Sequence, residues 1–158
     1  MTHESVRDQA VEALARQAVS DVSPAELPLF SASAARYRKD PGEALRSGGS
    51  GDRALGFGVE ASLVLVTPFA LELVKRMFTR LAEKLGDSAA DSLAGRITRW
   101  FSGREDEPEE SHEPAALSAD QLRLVSDVTR VEAASLQMPA EQSERLADAV
   151  IAALATRA

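Results

Sequence analysis

Apolar and polar positions follow one another along most of this chain at the three- and four-residue spacing of one-sided helices. The clearest stripe runs from Pro68 to Leu85: Leu71, Val74, Phe78, Leu81 and Leu85 share one face, while Glu72, Arg76 and Arg80 follow at four on another. An amphipathic helix is predicted there. The densest apolar run, Leu63-Val64-Leu65-Val66, lies just before it, and periodicity does not assign so short a run to helix or strand. Pro68 has no N–H and its ring would meet the carbonyl of Val64, so the helix is expected to start at this point with Thr67 as its N-cap.

Weaker stripes flank this one. Ser5 to Val19 places Val6, Ala10, Val11, Leu14 and Ala18 on one side. Ser23-Pro24-Ala25-Glu26 has the form of a capping box, but Pro28 follows too soon for a continuous helix, so a short turn precedes a helix over about residues 28–39 with Phe30, Ala34 and Tyr37 inward. Asp40-Pro41-Gly42-Glu43 opens one or two further turns, ending near Arg46. Gly86 is a helix stop, and Asp87-Ser88 caps a helix to about Phe101 with Ala90, Leu93, Ala94, Ile97, Trp100 and Phe101 on its apolar side. Ser118 with Gln121 forms a capping box, and Leu117 with Leu122 a hydrophobic staple, opening a helix to about Leu136 with Leu124 or Val125, Val128 and Val131 inward. After Met138-Pro139 a last helix uses Leu146, Val150, Ile151 and Leu154.

The expected fold class is therefore all-α, an irregular helical bundle with a C-terminal αα-hairpin. Its organisation reads as N-terminal helices at 1–46, a flexible Gly/Ser hinge at 47–53, a central apolar and amphipathic helical region at 54–101, an acidic disordered linker at 102–116 and a helical hairpin at 117–158. A chain of 158 residues with 44% hydrophobic and 4% aromatic residues suffices for one ordinary core and favours helix over strand.

Charge changes the picture once it is located. The net charge of −7 is concentrated in residues 104–114, which carry six acids against one Arg, whereas residues 1–103 balance thirteen acids with thirteen bases. The acidity thus belongs to the linker rather than to the helices. The N-terminus has early acids and no apolar core, so no secretory signal is expected.

The chemistry the residues offer is thin. No cysteine is present and the histidines are His3 and His112, both in segments expected to be mobile, which argues against thiolate, histidine and zinc chemistry. The run from Ser47 to Asp52 lacks the Lys-Ser/Thr of a phosphate loop, and Gly56-Phe57-Gly58 lacks the third glycine of a dinucleotide fingerprint. Glu60 interrupts an apolar run but has no convergent partner in the pattern, and Arg36-Tyr37-Arg38-Lys39 is too small a basic–aromatic patch to argue for nucleic acid. No catalytic residue, cofactor or metal site is expected, and the chain is not expected to be an enzyme.

What remains is surface. The leading expectation is a non-catalytic helical interaction or assembly protein, an adaptor or scaffold in the cytoplasm that binds a protein partner or a second copy of itself. The candidate interaction residues are Leu63, Leu65, Phe69, Phe78, Leu81, Trp100, Phe101, Val128, Leu146 and Val150. The 117–158 hairpin, with many alanines and no aromatic residue, is expected to dock on another molecule, because so few residues rarely bury enough surface alone. The alternative is a membrane-acting protein that inserts or lies in the interface through residues 56–85, with Lys75, Arg76, Arg80 and Lys84 at an anionic surface or an acidic partner. A simple span is disfavoured, since only eleven uncharged residues separate Glu60 from Glu72 where a bilayer needs about 20 apolar ones.

Overall fold

The computed structural model describes residues 3–50, 65–102 and 117–156. Every regular element among them is helical. α1 is His3–Val22; a short 3-10 helix, Pro24–Leu29, leads into α2, Phe30–Lys39; α3 is Pro41–Ser50, α4 Thr67–Leu85, α5 Asp87–Ser102, α6 Ala119–Ala134 and α7 Ala140–Ala155. The chain is an all-α bundle.

α4 is its centre. It packs against α1, α2, α3, α5 and α6, while α1 also carries α5 and α7. The reason is the width of its apolar surface: Phe69, Ala70, Leu71, Leu73, Val74, Met77, Phe78 and Leu81 are all buried, more than a single stripe could present to one neighbour. Together with Leu14 and Val19 of α1, Phe30 of α2, Ile97 of α5 and Leu146 and Leu154 of α7 they form one continuous core.

Local signals set most boundaries. The Ser118 hydroxyl accepts from the Gln121 N–H at 3.0 Å while the Gln121 side chain accepts from the Ser118 N–H at 2.9 Å, so the box that opens α6 is made reciprocally. α4 ends at Gly86, whose φ of 101° is a conformation that a Cβ disfavours. The start of α4 departs from expectation. Thr67 is inside the helix and Val66 occupies the N-cap position with no side-chain cap of its own. Instead the Glu26 carboxylate, from the 3-10 helix, accepts from the N–H of Val66 at 2.8 Å, the N–H of Thr67 at 2.9 Å and the Thr67 hydroxyl at 2.7 Å. A carboxylate here satisfies otherwise orphaned donors and meets the positive end of the helix dipole.

Three other expectations are corrected. The α6–α7 pair docks on its own chain, α6 against α4 and α7 against α1, because Leu146, Val150 and Leu154 find their partners in the common core. Val131 is 64% exposed and Leu85 51% exposed; the buried stripe of α6 passes through Val125, Val128, Thr129, Glu132 and Ala133 instead. α3 continues as helix to Ser50, across the first residues assigned to the hinge, and α1 already includes His3. The rest of the hinge, residues 54–64 with Glu60 and Leu63, and the linker from residue 103 with His112 lie outside the described residues.

Candidate binding cleft over Tyr37

Tyr37 sits on α2 one turn after Ala34, and both are buried against α4. A buried phenol needs an acceptor, and α4 supplies one: the Tyr37 hydroxyl donates to Oε1 of Glu72. The other Glu72 oxygen accepts from Arg76 Nε at 2.6 Å, and Arg76 Nη1 reaches the Ser135 hydroxyl at 3.0 Å, just beyond the end of α6. One line of hydrogen bonds thus ties α2, α4 and α6. Burial first, and then the hydrogen bond to and charge of Glu72, push the Tyr37 pKa well above that of an ordinary tyrosine, so at neutral pH it is a fixed donor rather than a base or nucleophile.

Above this ring a cleft of about 440 Å³ opens between α1, α2, Pro41 and α4. Its floor is Val11, Ala34, Leu71 and Phe78 with Tyr37; its rim is Arg7, Asp8, Glu12, Arg38, Lys75 and Thr79. Two rim cations are already engaged. Arg7 bonds Asp91 at 2.7 Å and Asp87 at 3.0 Å, tying α1 to α5, and Arg38 pairs with Glu12. Lys75 is different: its ammonium lies 5.8 Å from the centroid of the Tyr37 ring and makes no ion pair among the described residues. The floor side chains are each at most 7% exposed, so the rim supplies most of the surface the cleft offers to a ligand, and its volume lies in the range of about 300–1,000 Å³ common to binding clefts.

The residues proposed from sequence are scattered by the fold. Phe69, Phe78, Leu81, Val128, Leu146 and Val150 are buried in the core, so they hold the bundle together rather than offering a free face, with Phe78 alone also reaching the cleft floor. Trp100 and Phe101 pack half-buried at the end of α5, where Arg96 lies over the Trp100 ring at 5.8 Å. Leu65 is 37% exposed. The basic face is broken up: Arg76 is bound to Glu72 and Ser135, Arg80 to Glu132 at 2.8 Å and Glu83 at 3.5 Å, and Lys84 stands exposed near the end of α4. Only Lys75 reaches the cleft. Among the described residues no group of three His, Cys, Asp or Glu side chains is placed to hold a metal ion.

Sequence reasoning missed Glu72 as the acceptor for Tyr37, Glu26 as the cap of α4 and Glu132 as the acceptor for Arg80, although the spacing of Glu72 and Arg76 does point to their ion pair, 2.6 Å here. A signal existed for the first, since an inward Tyr37 demanded a partner and Glu72 is one of only two acids in α4. Comparison of the chain with protein-family models, curated proteins and solved structures finds no match in any of the three.

Proposed function

We propose that this chain is a non-catalytic helical interaction protein that recognises a protein partner through the cleft over Tyr37. The observation that carries the reading is the cleft itself, an open concavity of about 440 Å³ between α1, α2 and α4 bordered by charges of both signs. Support comes from the state of the other ionisable groups. Glu72, Glu132, Glu26, Arg7 and Arg80 are engaged in hydrogen bonds and ion pairs between elements or at a helix start, which fixes the scaffold around the cleft.

The membrane reading has less behind it. The apolar face of α4 is consumed by the core, and no described helix is long and apolar enough to cross a membrane.

A photo-crosslinking amino acid at Lys75 or Thr79, compared in cells with the same residue at Arg123 or Glu141 on outward faces of α6 and α7, tests the proposal. Discrete protein adducts are expected from the two rim positions alone. Equal adducts from all four positions, or none from the rim, would overturn it.

A further inference from the structure

α6 and α7 follow one another in the chain, pack on each other, and meet the remaining helices chiefly through α6 on α4 and α7 on α1. We infer that they form one cooperative unit, which comes away from the bundle and unfolds while α1–α5 keep their fold. In that second state the faces of α1 and α4 beneath the pair are bare.

The side chains that hold the two parts differ. The fully buried phenylalanines, Phe30, Phe69 and Phe78, belong to α2 and α4. Of the side chains that α7 buries, Ser143, Ala147, Ala149 and Ala153 are small and remove little apolar area from water. α6 adds polar weak points. Thr129 is fully buried with a hydroxyl that has no partner among the described residues, so its release to water gains a hydrogen bond. Glu132 is buried, but its partner Arg80 is half-exposed, and the bond from Arg76 to Ser135 is exposed. The charged groups of both contacts regain water on opening, which offsets much of what is lost. The helices left behind still support one another: α1 remains against α4 and α5, and α4 against α1, α2, α3 and α5. The departing pair has no such support. α6 and α7 are sixteen residues each, and helices of that length are marginal in water without a surface to dock on. Opening and unfolding of the pair therefore go together.

Native-state hydrogen exchange of the full chain, followed amide by amide at rising urea below the unfolding transition, is the test. Amides of Val128, Thr129, Ala147 and Val150 are expected to converge on one opening, populated at least about tenfold more than the opening that exposes Leu73, Val74 and Ala94. Phe78 borders the cleft between α1, α2 and α4 and so stays packed when α6 and α7 leave. Phe78→Leu should therefore quicken exchange at Leu73, Val74 and Ala94 by about threefold or more, while α6 and α7 hold their rates. Leu146→Ala, whose burial is lost in either opening, should quicken both sets. A single opening shared by all these amides, slower exchange in α6 and α7 than in α4, or separate openings of α6 and α7 would each overturn the inference. So would a Phe78→Leu effect of equal size in the two sets.

Discussion

α4 and α6 are both one-sided helices docked in the same core, and they meet the demands of burial in different ways. α4 buries large apolar side chains toward five neighbouring elements, and its charged residues stand at the margins. α6 touches α4 and α7, and its buried stripe includes Thr129 and Glu132 beside Val125, Val128 and Ala133. The difference follows from position. A central helix is stabilised chiefly by the area it removes from water, whereas a peripheral helix with polar groups in its buried stripe depends on whether each is satisfied. Glu132 is satisfied: its side chain is only 9% exposed and Arg80 reaches it at 2.8 Å. The Thr129 hydroxyl has no hydrogen-bond partner among the described residues.

The contrast between the two helices is widest in their apolar side chains. Phe78 is buried where α1, α2 and α4 meet, so Phe78→Ala should cost about 3–5 kcal/mol through lost transfer energy and the cavity left behind. Val128→Ala on α6 should cost about 1–3 kcal/mol, the burial of a smaller side chain. Urea unfolding of both variants measures the two side by side. Equal losses would mean that the outer helix depends on apolar area as much as the central one.

Tyr37 comes next, because its bond to Glu72 is the polar counterpart of that packing on the other edge of α4. Tyr37→Phe removes a hydrogen bond to a charged acceptor and should cost about 1.5–3 kcal/mol at neutral pH. Since folding raises the Tyr37 pKa, the contribution is whole below the unfolded tyrosine value of about 10 and declines as pH rises past it. Stability of the parent should therefore fall between about pH 9 and pH 11 more steeply than that of Tyr37→Phe. Parallel pH curves would show that the hydroxyl is not held by Glu72.

The features legible in the sequence are those written locally. Ser118 and Gln121 lie three residues apart and announce their box; Gly86 announces a stop; and the spacing of Leu71, Val74, Phe78 and Leu81 announces α4. Contacts made across the chain left no such trace. Arg7 meets Asp91 over 84 positions and Arg80 meets Glu132 over 52, so neither appears in any window of periodicity. Glu26 is the instructive case. In sequence it completes a local box with Ser23, yet Ser23 makes no side-chain cap and the carboxylate turns to a helix 40 residues away. The cleft was hidden for the same reason: its floor and rim come from α1, α2 and α4, and the stripes that placed Val11, Ala34, Tyr37, Leu71 and Phe78 inward did not say that they would meet.

Glu26 gives a prediction of middle size. Glu26→Ala removes the acceptor for three donors at the start of α4 and should cost about 1–2 kcal/mol, the usual worth of an N-cap. Hydrogen exchange at Ala70 and Leu71 should quicken with it. Thr67→Val, which loses only one of those bonds, should cost less than Glu26→Ala. The reverse order would return the cap to Thr67 and make the α4 start a local feature after all.

The smallest effect has the opposite sign and is the sharpest check on the outer helix. Thr129 is fully buried, and its hydroxyl oxygen is enclosed without a donor or acceptor opposite it among the described residues. Folding therefore strips water from a hydroxyl and returns no hydrogen bond, a loss of about 1–3 kcal/mol for such a group. Valine keeps the branched shape and replaces the hydroxyl with a methyl that prefers this environment. Thr129→Val should accordingly raise stability, by about 1 kcal/mol once the imperfect fit of the methyl is allowed for. α4 offers no counterpart, since the buried side chain of Thr67 already has Glu26, so Thr67→Val should destabilise while Thr129→Val stabilises. Urea midpoints for the two variants decide the matter. If Thr129→Val lowers the midpoint, the hydroxyl is satisfied in solution, and α6 is built on the same terms as α4.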